Sequence, residues 1–256
     1  MSETFTPRAT MEVVAAATSR TLKYVPGARA MTVGPLRCIH YERPLWWETD
    51  AFEAIEIEPQ EALKHIRAYG PGPHLIAVVT TDPDAPIAPY AVLGYKTTPS
   101  EPVETVMARD FAGFTPAAES RYPVELVQTE AQRQFYNSVI DADDPHGQAR
   151  MEELSDSEIR YYYVEQDNRC VCTAKAILPH RCALNIEPLG THPDYRRRGI
   201  ATALMNRIHA DAVELGATQS VIVATPMGKA LYSTLGYQVV CYIQKFVSEN
   251  RKDHLR

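Results

Sequence analysis

Cysteine is scarce in this sequence and does not come in pairs. Cys38, Cys170, Cys172, Cys182 and Cys241 are an odd number scattered along 256 residues, which argues against a disulfide framework. Cys170 and Cys172 alternate along an apolar stretch that reads as a strand, so they share a face. No second ligand pair lies near them, and they read as small buried apolar groups rather than metal ligands. No His-Glu-x-x-His occurs and no Ser/His/Asp order stands out; His180 and His192 read as structural or solvent-facing. No metal is therefore expected. Long apolar runs are missing too, so no segment is expected to span a bilayer. Residues 1–8 lack a basic region followed by an apolar one, so a signal peptide is not expected and a cytoplasmic location is. Positive charge is not in excess. A net charge of −6 and a pI near 5.8 give no long-range attraction to nucleic acid.

What is present is ordinary globular material, 45% hydrophobic and long enough for one large or two smaller domains. Met11–Leu22 reads as a helix with Thr10 as a candidate cap, and Val33–His40 as a strand. Pro59–Tyr69 reads as a helix stopped by Gly70–Pro–Gly–Pro73, and His74–Thr80 as a short apolar strand. Pro102–Phe111 is the strand that would follow. Small and turn-forming residues over Ala112–Ser120 mark a linker, dividing the chain into 1–118 and 119–256. Beyond it, the strand Val124–Val127, helices over Glu130–Ile140 and Gln148–Leu154, and three strands, Ile159–Glu165, Cys170–Leu178 and Cys182–Leu189, are expected. Gly199–Leu215 is the clearest helix, because Ile200, Leu204, Ile208 and Ala212 recur along one side. A strand Ser220–Ala224, a helix Met227–Leu235 and a strand Gln238–Val247 complete the chain.

The halves echo each other. Helix, apolar strand, Tyr, Leu-Gly-Tyr and final strand occur as Pro59–Tyr69, His74–Thr80, Tyr90, Leu93–Tyr95 and Pro102–Phe111. They recur as Gly199–Leu215, Ser220–Ala224, Tyr232, Leu235–Tyr237 and Gln238–Val247. This reads as a degenerate duplication.

One stretch carries chemistry. In Leu189–Leu204 an apolar strand runs through an arginine-rich turn into a helix opening at Gly199. The first amides of a helix lack intrahelical partners and sit at the positive end of its macrodipole. With small residues at Gly199 and Ala201, the turn suits a phosphate-bearing ligand. Arg196–Arg197–Arg198–Gly199–Ile200–Ala201 resembles the Gln/Arg-x-x-Gly-x-Gly/Ala signature of the GNAT N-acetyltransferase superfamily. The later Ala230–Leu231–Tyr232–x–x–Leu235–Gly236–Tyr237 is similar to that family's second motif. The resemblance covers about Pro123 to Val247, and the first half resembles a degenerate half-copy.

The resemblance implies an α/β fold: a mixed, mostly antiparallel sheet flanked by helices, with a smaller N-terminal α/β half-domain. It implies acetyl-coenzyme A as co-substrate. The pyrophosphate would lie on the amides of Arg197, Arg198, Gly199, Ile200, Ala201 and Thr202, with the run Arg196–Arg198 adding charge, although such a run is also a plain solvated turn. The pantetheine arm would pair with Leu189, Gly190 and Thr191. Thr225 stands where relatives often carry Asn, seven residues before Tyr232. Tyr232 matches the family's general acid; otherwise it is a core tyrosine. Glu187 is the candidate base for an amine that must lose its proton to attack, or else a ligand for the substrate ammonium. No cysteine or serine stands in a nucleophile setting, so direct transfer in a ternary complex is expected.

On the acceptor side, Trp46 and Trp47 beside acidic residues suit a cation, with interdomain packing as the plainer reading. Tyr162, in Tyr161–Tyr162–Tyr163, is a further candidate. The expected function is acetyl transfer to a primary amine of a small molecule, with no nucleic-acid or membrane partner and a homodimer allowed. The rivals are acetylation of a protein lysine or N-terminus, and a coenzyme-A-binding module without catalysis.

Overall fold

The computed structural model describes residues 5–45, 48–85, 88–98, 103–116, 120–141, 144, 146–179 and 182–248. Trp46, Trp47 and His180 lie outside these. The chain begins with α1 (Pro7–Leu22). Its cap is Thr6, whose hydroxyl accepts from the Ala9 amide at 3.2 Å, and Pro7 occupies the first turn. The helix thus starts a turn before the expected Thr10, which is buried inside it. Proline is tolerated there because its missing amide would have had no helical partner.

The single strand expected over Val33–His40 is instead a hairpin, β1 (Ala28–Val33) and β2 (Leu36–Leu45), turned by Gly34–Pro35 with Gly34 at φ 59°. β3 (Glu48–Ile55), α2 (Pro59–Tyr69) and β4 (His74–Thr80) make a parallel crossover. α2 ends where expected, at a left-handed Gly70. A one-turn α3 (Ala88–Ala91), a short β5 (Tyr95–Thr97) and β6 (Val103–Asp110) complete the first half.

The second half runs β7 (Glu125–Leu126), α4 (Glu130–Asn137), α5 (Met151–Leu154), β8 (Ile159–Gln166), β9 (Arg169–Ile177) and β10 (Ala183–Thr191). It continues through α6 (Ile200–Glu214), β11 (Gln219–Ala224), α7 (Pro226–Thr234) and β12 (Gln238–Ser248). α4 and α5 are shorter than expected. α6 buries Ile200, Leu204, Ile208 and Ala212 as its periodicity requires.

The described strands form one mixed sheet in the order β1-β2-β3-β4-β12-β6-β11-β10-β9-β8-β7, with β5 added beside β12. β3·β4 and β10·β11 are parallel and the other ladders antiparallel. The echo seen in the sequence is therefore structural. Each half has a parallel crossover followed by a helix and a final strand. The final strands are exchanged: β12 lies between β4 and β6, and β6 between β12 and β11. Residues 1–118 and 119–256 thus share one sheet.

α6 covers one core on the second half, where Leu204, Met205 and Ile208 meet Tyr162, Ala174 and Ile222. α2 covers another on the first, with Leu63 and Ile66 against Phe52 and Ile76. On the opposite face of the central strands, α1 packs Met11 with Val106, Val221 and Cys241, drawn from both halves. Tyr237 of the Leu-Gly-Tyr motif is buried, with its hydroxyl 2.8 Å from His209 Nε2 and 2.6 Å from Ser220 Oγ. Burial, reinforced by the charge of Arg109, pushes His209 down to about 3, so it sits neutral in the core.

Because the central strands interleave, the halves are expected to unfold together. Both tryptophans precede β3, so their fluorescence reports the first half and far-UV circular dichroism the whole. Urea transitions followed by the two probes should coincide. Met107→Ala in β6, buried against the second-half core, should move both midpoints down together, by about 2–5 kcal/mol.

Candidate active site

β10 pairs with β11 only through Ala183, Leu184 and Asn185, opposite Gln219, Ser220 and Val221. Beyond that point the two strands part. The reason is local to β10. Pro188 has no amide to donate, and the ladder to β9 slips between Ile186 and Leu189. Leu189, Gly190 and Thr191 regain pairing with β9, but their other edge faces the opening. A strand edge of this kind can accept an extended ligand as one more strand.

A short 3-10 turn, Pro193–Tyr195, then leads to the start of α6. Arg197 at φ 58° and Gly199 at φ 84° bend the chain into the helix. A Cβ on Gly199 would meet no atom within 4 Å, so backbone geometry, not crowding, demands glycine, and the space before it is open. Gly199 is the N-cap and offers no side-chain acceptor. Among the described residues no hydrogen bond engages the amides of residues 197–202.

The arginines divide their work. Arg196 Nε donates to the Thr191 carbonyl at 3.0 Å. Arg198 donates to the Asp194 carbonyl at 2.7 Å and lies over the Tyr195 ring. The Arg198 carbonyl accepts from Tyr122 at 3.0 Å and Arg121 at 3.1 Å. Two arginines therefore fasten the turn. The Arg197 guanidinium has no hydrogen bond or ion pair with the described residues and is the cation left for an anion. Neither Tyr122 nor Arg121 stood out in the sequence, since nothing local marks a residue that bonds a carbonyl 76 positions away.

A cavity of about 1450 Å³ starts at this turn, passes Thr225 and Tyr232, and reaches Glu187. Thr225 caps α7: its hydroxyl accepts from the Gly228 amide at 3.2 Å, with Pro226 following at the first helical position. That capping role accounts for a Thr-Pro pair here. A Cβ on Gly228 would lie 2.9 Å from the Tyr232 ring, so the glycine seats the tyrosine. No described residue bonds the Tyr232 hydroxyl. Burial, with Cys172 nearby, pushes that phenol up to about 12, so it holds its proton at neutral pH.

Glu187 projects into the same cavity. Its side chain is exposed to the cavity space. Desolvation by the cavity walls raises its pKa above the ordinary carboxylate value and Glu104 adds to the rise, while Lys245 and Lys175 oppose it. No described residue forms an ion pair with it.

The groups around Glu187 were missed at the sequence level because they converge from distant elements. Lys245 Nζ bonds Glu104 at 2.6 Å. Lys175 bonds Glu153 at 2.9 Å, both almost fully buried, and Tyr161 donates to the same carboxylate at 2.5 Å. Burial lowers the pKa of Lys175, and Glu153 opposes that shift. Tyr162, expected near the acceptor, is not at the cavity. Strand alternation turns it under α6, where it is 1% exposed and donates to Asp211 at 3.0 Å.

The first half has no second opening of this kind among the described residues. β3 and β4 pair without a break over Asp50–Ile55 and His74–Val79. The approach to α2 carries Glu56, Glu58 and Glu61, charges that repel phosphate. No group of His, Cys, Asp and Glu suited to a metal ion occurs among the described residues. None of their helices is long and apolar enough to cross a membrane.

Comparison with known proteins agrees with this geometry. Residues 157–239 match the family model described as Acetyltransferase (GNAT) domain. A GCN5-related N-acetyltransferase from Kribbella flavida is 17% identical with a TM-score of 0.66, over 95% of this chain and 96% of that one. A putative GNAT-family acetyltransferase from Novosphingobium aromaticivorans is 15% identical with a TM-score of 0.56, over 91% and 96%. A tandem GNAT protein from the clavulanic acid biosynthesis pathway is 12% identical with a TM-score of 0.54, over 85% and 79%. No curated protein matches the sequence. Residues 157–239 thus match a GNAT-type acetyltransferase domain, and the whole chain shares its fold with these structures.

Gly199→Ala should lower stability by about 1–2 kcal/mol through its positive φ alone. Arg197→Ala, whose side chain is unattached, should stay within about 0.5 kcal/mol of the parent. Denaturant unfolding of both variants checks this.

Proposed function

We propose that the protein transfers an acetyl group from acetyl-coenzyme A to a primary amine of a small molecule, directly, within a ternary complex. One observation carries the reading. A single cavity joins a helix start with unengaged amides, an unpaired strand edge, a protonated tyrosine and an unpaired carboxylate.

The residues present fit the coenzyme. The amides of Arg197 to Thr202, with the free Arg197 guanidinium, form a cradle for a diphosphate. The open edge at Leu189–Thr191 accepts an amide-bearing arm as an added strand. Thr225, although its oxygen caps α7, can still donate its hydroxyl hydrogen toward that arm. The coenzyme supplies the acetyl thioester. The Leu189 amide stabilises the charge that develops on the carbonyl oxygen as the amine attacks.

Glu187, with its raised pKa, takes the proton that the ammonium must lose, directly or through water. The new C–N bond forms as the C–S bond breaks, and Tyr232 gives its proton to the departing thiolate. A small acceptor suits the site because the far side of the cavity runs beneath α1 and is bounded by both halves.

Tyr232→Phe should retain the heat of coenzyme A binding and lose about 100-fold or more in kcat, followed by free thiol. For the parent, kcat/KM should rise with pH through a value above the usual carboxylate range, since the base acts only when deprotonated. Glu187→Gln should abolish that limb. An unaltered pH profile in Glu187→Gln would remove Glu187 from the mechanism.

A further inference from the structure

The cavity does not stop at Glu187. It continues across the shared sheet into the first half, with α1 over it. The floor of this arm has two rows in cross-strand register. Ile39, Ala51 and Leu75 stand side by side on β2, β3 and β4. Arg37, Glu53, Ala77 and Lys245 form the next row across β2, β3, β4 and β12. The roof is the face of α1 that carries Met11 and Val14.

Every basic side chain of the arm is already engaged. Arg37 is held by Glu12 and, at 2.8 Å, by Glu53. Lys245 is held by Glu104 at 2.6 Å, and Lys175 by Glu153 at 2.9 Å. His146 lies 3.2 Å from the Tyr41 hydroxyl, and burial together with the charge of Lys175 lowers its pKa. Of the four carboxylates that line the cavity, Glu12, Glu53 and Glu104 have basic partners and Glu187 has none among the described residues. A substrate carboxylate or phosphate entering this arm would find no free cation, whereas an ammonium would find Glu187. A charge moved from water to such a place without a partner is strongly disfavoured. The remaining wall is uncharged, with aliphatic and aromatic groups such as Ile39, Leu75 and Phe52 and a few hydroxyls such as Ser19 and Thr32, and it offers burial to a largely apolar body.

We propose that this arm is the acceptor site for a primary amine carried on an uncharged, largely apolar body, and that it rejects amines that also bear a carboxylate. The amine lies at Glu187 and the body along Ile39, Ala51 and Leu75 beneath α1. The assignment rests on the acetyl-transfer reading above and narrows it.

Matched pairs test it on the full chain with acetyl-coenzyme A, following free thiol and product mass: 2-phenylethylamine against phenylalanine, and tyramine against tyrosine. The amines should exceed their carboxylated partners in kcat/KM by about 100-fold or more. Ala51→Phe, which fills the floor, should lower kcat/KM for both amines by about tenfold or more, mainly through KM. Its retained heat of coenzyme A binding shows that the variant is folded. The matched pairs themselves need no variant.

Equal turnover of amine and amino acid would overturn the proposal, as would a preference for spermidine. A folded Ala51→Phe that leaves both amines unaffected would do the same. Faster turnover with a long-chain acyl-coenzyme A, lost in Ala51→Phe, would assign the arm to the acyl chain instead. Absence of any coenzyme A binding by the parent would defeat the acetyl-transfer reading and this one together. Coenzyme binding with turnover of the wrong amines defeats this one alone.

Discussion

The exchange of final strands between the halves is the constraint on which the rest of the structure depends. β12, the last strand of the chain, is hydrogen-bonded to β4 on one side and β6 on the other, and β6 to β11. Neither half can complete its sheet alone, and an incomplete sheet leaves edges that must be paired or covered. The exchange also makes one floor out of two copies. Lys245 of β12 stands opposite Ala77 of β4 and bonds Glu104 of β6. α1 then lies over strands of both halves. The cavity is a consequence of this joint construction and belongs to neither copy by itself.

Within that continuous sheet, chemistry is confined to the place where pairing fails. β3 and β4, the first-half counterparts of β10 and β11, stay paired over six residues, while β10 and β11 part after three. The difference lies in a few side chains. Pro188 withholds an amide, and Gly199 allows the turn that aims a helix start at the gap. In the first half acidic residues occupy the corresponding helix start. Among the described residues the two related halves thus carry one such opening, and the other half supplies walls. This asymmetry is the physical basis for giving the first half the acceptor.

The features legible in the sequence are those with a local cause. The apolar repeat on α6, the proline and glycine that bound α2, and the glycine turn at Gly199 each depend on neighbours a few residues away. The duplication was readable for the same reason, since each copy repeats its own local signals. The hairpin at Gly34–Pro35 was missed because the apolar pattern runs across the turn, and α1 starts early because Thr6–Pro7 outcompetes Thr10 as a cap. The strand exchange, the position of α1 over both halves and the ion pairs around Glu187 join residues far apart in sequence, where no local rule reaches. Tyr162 shows the same limit. Alternation fixed that it faces away from Tyr161 and Tyr163, but only the packing of α6 decides which face is core.

Coenzyme binding, and with it the proposed chemistry, depends on the amides at the start of α6. Hydrogen exchange, followed by mass spectrometry on the full chain with and without acetyl-coenzyme A, reads them directly. The amides of residues 197–202, which no described group engages, should slow on addition of the coenzyme, together with those of Leu189–Thr191. Protection confined to other segments, or unchanged exchange throughout at saturating coenzyme, would contradict the account.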